Sequence, residues 1–266
     1  MMISKKVVVI GAGAAGLMAG ATAALYGASV TIIEKNKRVG RKIMITGKGR
    51  CNLANNCDVQ TFINNVPVNG RFLYSAINAF TPEDTIEFFE SKGLKTKTER
   101  GNRVFPASDK SVDVVDTMHD YAVESGCKIV CDTANALILE DGAVIGVKCE
   151  ENTYYADSVI ICCGGKSYPL TGSTGDGYTL AKQAGHTIIP LKPSLVPFTS
   201  GDKQCKDMQG LALKNVALRI VDKNSKKTVY SDFGEMLFTH FGMSGPMILS
   251  ASSHIRDIQP LSLIHI

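Results

Sequence analysis

The sequence has no tryptophan, and none of its eight cysteines forms a CxxC pair. Any aromatic stacking therefore involves Tyr, Phe or a ligand. The five histidines are scattered, so the spacing predicts neither a zinc nor an iron–sulfur site. A net charge of +4 is too small to indicate nucleic-acid binding by itself. Metal centres and strongly basic nucleic-acid proteins are thus not favoured.

Charge is also missing between Val7 and Ile33, and Lys5 and Lys6 precede this stretch. Such a pattern is compatible with a transmembrane helix or a signal peptide. Five glycines interrupt it at the spacing of a phosphate-binding turn, which argues against both. We therefore expect a cytoplasmic protein with reduced thiols and no membrane association.

The 266 residues are 44% apolar and 20% charged, as in ordinary globular proteins of one large domain or two. The organising stretch is KVVVIGAGAAGLMAGATAALYGASVTIIEK, residues 6–35. It predicts a strand, a glycine turn, a helix and a second strand that ends in Glu34.

The glycines of this stretch have GxGxxG spacing. Gly11 permits a tight turn, Gly13 lets a pyrophosphate approach the backbone, and Gly16 lets the helix pack on the sheet. Glu34 is placed to accept a hydrogen bond from a ribose 2′-hydroxyl and to repel a 2′-phosphate. The stretch therefore predicts a site for FAD or NAD rather than NADP.

The segment KNKRVGRKIMITGKGR, residues 35–50, holds seven Lys or Arg and no acid. Taken alone it is compatible with a solvated face or a nucleic-acid patch. Because it follows the phosphate turn, we favour a loop that folds over an anionic cofactor. Arg41, Lys42 and Arg50 would neutralise charge, and Thr46 would bond to phosphate or flavin edges.

Several downstream elements are predicted from local signals. Residues 71–92 are expected to be helical, with Thr81 and Pro82 as a start signal. Residues 95–105 indicate a hairpin, residues 109–125 an amphipathic helix, and Asp141 with Gly142 a second hairpin turn.

A buried strand, SVIICC, then ends in Gly164 and Gly165. A small β-meander before a last parallel strand is typical of FAD folds, and the glycine pair permits a ligand to approach, although a simple tight turn remains open. Cys162 and Cys163 are adjacent and could be interpreted as a redox pair, yet adjacent cysteines at the end of an apolar strand are more commonly buried structural residues. Asp176 begins a glycine-rich helix, where it either stabilises the helix or shapes the cofactor pocket.

Prolines at positions 190, 193 and 197 indicate a boundary, after which strands are predicted at 215–222, 228–231 and 235–241 and a helix near GMSGP, residues 242–246. His240 lies in this part, but a lone histidine in an alternating strand is more often structural than catalytic.

Five stretches together resemble the FAD-dependent oxidoreductases of the BaiN-like or aminoacetone-oxidase-like family. They are GAGAAGLMAG with Glu34, GRKIMITGKGRCN, RVFPASDK, CCGGKSYPLTGSTGDGYTLAKQAGH and GEMLFTHFGMSGP. They run in order along almost the whole chain and are more specific than a lone glycine turn.

The resemblance implies an α/β fold: a Rossmann-like FAD-binding fold of the two-dinucleotide-binding type. It implies an FAD-binding domain at 1–190 and a partial, inserted, mostly β substrate domain at 191–266. It also implies a set of cofactor-binding residues and no metal ligands: Gly11, Gly13, Ala14, Ala15, Gly16, Glu34, Lys35, Arg41, Lys42, Thr46, Gly47, Gly49, Arg50, Asn52, Ala136, Gly164 and Gly165.

Members of that family continue past position 266 with a segment that covers the flavin, and LSLIHI, residues 261–266, differs from them. We therefore expect a C-terminally truncated chain in which the flavin half of the pocket is incomplete.

The expected function is FAD-dependent hydride transfer to or from a small organic substrate, an activated C=C, an amine or a carbonyl compound. NAD(P)H is a possible electron donor, no nucleic acid is expected as a partner, and no catalytic residue is assigned. Two alternatives stay open: a non-catalytic FAD- or nucleic-acid-binding protein, and a flavin disulfide reductase that uses Cys162 and Cys163.

Overall fold

A computed structural model describes residues 4–255 and 261–265. The chain forms two compact units. The first, unit 1, comprises Met1–Phe62 and Tyr74–Ile188, and the second, unit 2, comprises Ile63–Leu73 and Ile189–Ile266. That 1–190 and 191–266 are an FAD-binding and a substrate domain stays a prediction.

The strands and helices are numbered in chain order. Up to residue 188 they are β1 (Lys6–Ile10), α1 (Ala14–Leu25), β2 (Ser29–Glu34), α2 (Arg41–Ile45), β3 (Ala54–Asn55), α3 (Val59–Asn64), α4 (Tyr74–Ala79), α5 (Pro82–Ser91), β4 (Thr96–Glu99), β5 (Arg103–Pro106), α6 (Ser111–Glu124), β6 (Lys128–Cys131), β7 (Ala134–Glu140), β8 (Ala143–Cys149), β9 (Thr153–Tyr155), β10 (Ser158–Ile161) and α7 (Asp176–Gln183). They continue with β11 (Phe198–Thr199), α8 (Lys203–Asp207), β12 (Ala212–Asp222), β13 (Thr228–Thr239), β14 (Gly242–Ser244), α9 (Pro246–His254) and β15 (Leu261–His265).

A parallel sheet in the order β10-β1-β2-β6 forms the centre of unit 1. Its strands are short apolar runs because both faces of the sheet are covered. The carboxyl ends of β1, β2 and β10 meet at one edge, where ligands bind in folds of this type. The predicted α/β, Rossmann-like fold is confirmed.

Alternate residues of β1 enter two different cores. Val9 packs in a cluster with Leu17 of α1 and Met118 of α6. Val8 packs on the opposite face with Leu137 and Val147 of the meander β7-β8-β9. The parallel sheet is therefore held between two helices and a small antiparallel sheet.

The local signals before residue 188 are largely confirmed. Thr81 caps α5 in a reciprocal capping box with Asp84, and Asp141 and Gly142 form the turn between β7 and β8 with φ of 49° and 77°. The prediction that residues 71–92 are helical, with a start signal at Thr81 and Pro82, is confirmed, since α4 and α5 occupy most of this range. The extended backbone of Thr81, with φ −79° and ψ 168°, and the proline after it separate α4 from α5.

Unit 2 contains an antiparallel sheet in the order β11-β14-β13-β12-β15. Its core includes Leu218, Met236 and Phe238 from the sheet and Ile248 from α9. The two strands predicted at 228–231 and 235–241 are one strand, β13. It continues through Gly234, which pairs with Val216 of β12.

Among the residues that the structure describes, no helix has the length and apolar character needed to cross a membrane.

Candidate dinucleotide-binding site

The turn between β1 and α1 requires glycine at two positions. Gly11 has φ +102°, and a Cβ there would lie 2.6 Å from the carbonyl oxygen of Cys162. A Cβ at Gly16 would lie 1.8 Å from the carbonyl oxygen of Gly11. The predicted turn and helix-packing roles of these two glycines are confirmed.

Gly13 differs from both, because no atom lies within 4 Å of the position that its Cβ would take. It is the N-cap of α1, and neither a side-chain cap nor an acid in the first turn satisfies the helix start. The backbone N–H groups of Ala14 and Ala15 therefore remain available at the positive end of the helix. That arrangement suits an anion such as a pyrophosphate.

Glu34 ends β2 and is buried, with 9% of its surface exposed. Its Oε2 accepts a hydrogen bond from the Ala12 N–H at 2.8 Å. Its Oε1 accepts from the Asn36 N–H at 2.9 Å and from the Asn36 side-chain amide at 2.6 Å. Arg41 in turn donates to the Asn36 oxygen at 2.5 Å. The carboxylate is thus fixed in orientation by protein donors.

Sequence reasoning missed Asn36. Its only local signal is an amide side chain two residues after the acid, and the amide side chain of asparagine commonly bonds to nearby groups in turns.

A cavity of about 890 Å³ opens at this edge of the sheet. Its lining includes Gly13, Glu34, Cys51, Thr133 and Asp176. Of the predicted cofactor residues, those that line it are Gly11, Gly13, Ala14, Ala15, Glu34, Lys35, Arg41, Lys42, Thr46, Asn52 and Gly164.

The remaining predicted residues lie outside the lining: Gly16, Gly47, Gly49, Arg50, Ala136 and Gly165. Ala136 pairs with Lys148 within the meander, and Thr133 and Ala134 line the cavity instead. The ligand contacts of all the predicted residues stay predictions.

Most cations of the basic segment, residues 35–50, have partners within unit 1. Lys35 donates to Asp176 at 2.6 Å and to Thr174 at 2.8 Å, and Lys42 donates to Ser167 at 3.0 Å. Burial opposes ionisation of Asp176, but the hydrogen bonds from Lys35 and Thr174 and the positive charge of Lys35 together outweigh it and hold the pKa of Asp176 below its ordinary value.

Arg50 is the clearest example. It donates to Glu99 at 2.8 Å and to Asp109 at 3.2 Å, and its guanidinium lies 4.1 Å from the centre of the Phe105 ring. The hydrogen bond from Arg50 lowers the pKa of Glu99. A hydrogen bond from Lys97 lowers the pKa of Asp109. Arg50 therefore holds the loop in place rather than facing the cavity.

The loop that Arg50 anchors has an unusual backbone. Gly47, Lys48, Gly49 and Cys51 all have positive φ, including 59° for Lys48 and 61° for Cys51. Non-glycine residues adopt this conformation at a cost of about 1–3 kcal/mol when the surrounding structure imposes it, often at functional sites. Cys51, which lines the cavity, is positioned in this way.

Asp132 is a second residue that sequence reasoning missed. It follows β6, is 5% exposed, and accepts from the N–H groups of Thr133, Glu151 and Asn152 at 2.8, 3.2 and 3.1 Å. Burial would raise its pKa, but these hydrogen bonds hold the pKa below its ordinary value. Asp132 therefore fixes the turn that places Thr133 and Ala134 at the cavity. Its position at the carboxyl end of a parallel strand was the available signal.

Cys162 and Cys163 lie on opposite faces of the sheet edge. Cys162 packs with Val9 in the helix-side core, and Cys163 packs with Val8 and Ile10 in the meander-side core. Burial raises the pKa of Cys162, and it raises that of Cys163 to about 11. Neither thiol has the low pKa of a reactive cysteine, which argues against the disulfide reductase alternative.

His240 is not among the residues that line this cavity. It is exposed, belongs to unit 2, and contacts Phe241 with ring centroids 5.0 Å apart. Within residues 4–255 and 261–265, no group of three His, Cys, Asp or Glu side chains is arranged to hold a metal ion.

The sheet order, the glycine turn and the acid at the end of β2 are those of a Rossmann-type dinucleotide-binding fold. Residues 5–251 match the family described as the HI0933-like protein Rossmann domain. The chain belongs to this family, and the resemblance drawn from its motifs is confirmed.

Curated relatives carry two kinds of name. The chain is 31% identical over 250 residues to a 3-dehydro-bile acid delta(4,6)-reductase from Clostridium scindens, covering 93% of this chain and 59% of the relative. It is 30% identical to ribosomal RNA dihydrouridine synthases from Escherichia coli and Haemophilus influenzae, covering 93% and 96% of this chain and 60% and 63% of theirs. The chain thus spans about three fifths of the length of these relatives.

Solved structures share the fold. A flavocytochrome c3 fumarate reductase aligns with a TM-score of 0.54 and 20% identity over 80% of this chain and 47% of its own. A 3-ketosteroid-delta4-(5alpha)-dehydrogenase from Rhodococcus jostii aligns with a TM-score of 0.53 and 14% identity, over 84% of this chain and 67% of its own.

Proposed function

We propose that unit 1 binds FAD and that the protein is an FAD-dependent reductase of carbon–carbon double bonds conjugated to a carbonyl group. The observation that carries the proposal is that the free start of α1 and the buried carboxylate of Glu34 line one cavity. One group attracts phosphate, and the other suits a ribose hydroxyl.

The residues present fit this cofactor. The cavity of about 890 Å³ lies at the upper end of the roughly 300–1,000 Å³ of ligand sites. The space beside Gly13 admits a pyrophosphate against the backbone. Oε2 of Glu34 accepts one protein hydrogen bond, which leaves it a further lone pair for a ribose hydroxyl. Thr133 and Ala134 also line the cavity and would offer backbone groups to the adenine.

The same cavity would also receive the flavin ring, which supplies two-electron hydride chemistry when bound. Thr46, Asn52 and Gly164 line the cavity, together with Cys51 on its strained loop, and would hold the ring. Lys35 and Asp176 tie the end of β2 to the start of α7. The chain's own residues therefore bind and orient the cofactor, and none is assigned to proton transfer.

The type of reaction is inferred from what the two names of the relatives have in common. A delta(4,6)-reductase acts on ring double bonds, and dihydrouridine is uridine with the double bond beside its carbonyl saturated. Saturating one bond consumes two electrons and two protons, for which a reduced nicotinamide nucleotide is the proposed donor. This is the activated C=C among the substrates expected from the sequence.

A small enone is the first substrate candidate. A uridine within RNA is the second, and the charge distribution favours it: the segments of unit 2 contain ten Lys or Arg and six Asp or Glu, whereas unit 1 contains 19 of each. The expectation of no nucleic-acid partner stays a prediction.

The test is to purify the chain, record its visible spectrum, and add FAD if it is colourless. We expect bound flavin that NADH or NADPH bleaches anaerobically and that 2-cyclohexenone or a uridine-containing RNA reoxidises. Flavin that binds but is reoxidised by neither acceptor would overturn the reductase assignment and favour the non-catalytic alternative. Folded protein that takes up no FAD would overturn the cofactor assignment.

A further inference from the structure

The net positive charge of the chain belongs to unit 2, whereas unit 1 is charge-balanced. Part of this charge lies in the turn between β12 and β13. Lys223, Lys226 and Lys227 lie within five consecutive positions, 223–227, and are all exposed. None of the three forms an ion pair within the part of the chain that the structure describes. Their charges therefore face solvent.

Asp222 fixes the shape of this turn and offsets part of the charge of Lys226. Its Oδ1 accepts from the Asn224 N–H at 3.1 Å and from the Ser225 N–H at 2.5 Å. The hydrogen bond from the Ser225 N–H contributes most to lowering the pKa of Asp222, and the bond from the Asn224 N–H adds to it. The turn is thus an ordered platform for three lysines rather than a loose loop.

The strands below the turn continue the same surface. Arg219 pairs with Ser231, and Ala217 pairs with Phe233, so these side chains share one face of the sheet. The core residues Leu218 and Met236 belong to the other face. Arg219 is exposed, and Phe233 has 67% of its surface exposed.

The composition of this surface indicates its partner. Val229, 43% exposed, adds a further apolar side chain, and Glu235 is an exposed acid two residues along β13 from Phe233 on the same face. Cations near an exposed aromatic ring suit a nucleic acid, since phosphates pair with Lys and Arg while an unstacked base stacks on the ring. An exposed ring can reach only an unpaired base, which favours single-stranded RNA over a duplex.

We propose that the hairpin surface formed by Arg219, Lys223, Lys226, Lys227 and Phe233 binds single-stranded RNA. This inference deepens the proposed function, because it places the RNA branch of the substrate class on a defined surface. RNA binding at this surface requires no flavin, so it is measured independently of the reductase activity.

The test is fluorescence anisotropy of a labelled 12-nucleotide oligouridine at 50 to 200 mM salt. For four cations the logarithm of the affinity should fall against the logarithm of salt with a slope of about −3. Replacing Lys223, Lys226 and Lys227 together by Ala should reduce that slope by about two. Phe233→Ala should weaken binding about fivefold or more without changing the slope.

The matched control replaces Lys128, Lys148 and Lys182 by Ala, which removes the same charge from exposed positions of unit 1. It should leave the affinity almost unchanged. If both triple variants weaken RNA binding equally, the hairpin surface is not the binding site, and RNA affinity depends on net charge alone. Binding that is insensitive to Phe233→Ala, or a duplex of the same length that binds equally well, would also overturn it.

Vesicles containing phosphatidylserine provide the competing anionic surface. Binding to vesicles but not to oligouridine would overturn the proposal in favour of a membrane. FAD titration of the same samples separates the two proposals. Lost RNA binding with normal FAD binding overturns this inference alone, and lost FAD binding with normal RNA binding overturns only the cofactor assignment.

Discussion

The two units use their charges in opposite ways. In unit 1, Lys35 and Arg50 are bound to Asp176 and Glu99 around a cavity. In unit 2, the lysines of the β12–β13 turn face solvent. The densest basic run of the sequence, residues 35–50, therefore mostly binds to groups within unit 1. The lysines of the β12–β13 turn, which are fewer, form an exposed surface. The pairing of charges, rather than their number, distinguishes a scaffold from an interaction surface.

The largest expected effect separates the structural from the ligand-facing glycines of unit 1. Gly16→Ala should lower the free energy of unfolding by about 1–3 kcal/mol or more, because its Cβ would overlap the carbonyl oxygen of Gly11. Gly13→Ala should keep its stability, because space is open there, but should bind FAD poorly. Urea unfolding and FAD titration measure the two effects. Equal losses of stability in both variants would contradict the distinction.

Loss of the Asp132 carboxylate should be the next largest effect. Asp132→Ala leaves the N–H groups of Thr133, Glu151 and Asn152 without their carboxylate acceptor, so the midpoint temperature of unfolding should fall by a few degrees. Asp207→Ala, at an exposed position in unit 2, is the control and should be nearly neutral. Thermal unfolding monitored by circular dichroism measures both, and a neutral Asp132→Ala would show that the turn does not depend on this carboxylate.

Glu34→Gln tests the cofactor side of the comparison. The amide group would face the N–H donors of Ala12 and Asn36, so we expect FAD affinity to fall about 10- to 100-fold. Oligouridine affinity should not change, since that surface is assigned to unit 2. Glu140→Gln, at an exposed site, is the control. A variant that binds FAD normally but RNA weakly would reverse the assignment of the two units.

A smaller effect concerns pH. Because the pKa of Asp176 is depressed in the folded protein, the Lys35–Asp176 pair stabilises the protein above the ordinary pKa of 3.8 and loses this contribution as pH falls below it. The wild type should therefore be more stable than Asp176→Asn at pH 7, and the two should converge below about pH 3.8. Thermal unfolding of both proteins is measured across this pH range. A difference in stability between wild type and Asp176→Asn that stays constant with pH would show that the pair is not responsible.

The smallest effect is expected at the paired cysteines. Cys163→Ser should bind FAD and turn over like the wild type, because the two thiols face different cores and have raised pKa values. Cys131→Ser, at an exposed position, is the control. Turnover that requires a dithiol and disappears only in Cys163→Ser would support the disulfide reductase alternative.

Much of the site was predictable because its signals are local. The glycine turn and the acid at the end of β2 lie within 30 residues and depend on backbone sterics that the residue types reveal. The partners of the basic segment were not predictable, since Arg50 meets Asp109 across 59 residues and Lys35 meets Asp176 across 141. The Asp132 turn and the continuity of β13 likewise depend on contacts between distant parts of the chain.

The central claim is that unit 1 holds FAD through its phosphate turn and Glu34. Equilibrium titration of the purified chain with FAD, repeated in the presence of ADP, tests it most directly. We predict one FAD per chain, competition by ADP, and weaker binding in Glu34→Gln. Folded protein that binds no FAD, or binds it without competition from ADP, would contradict the account.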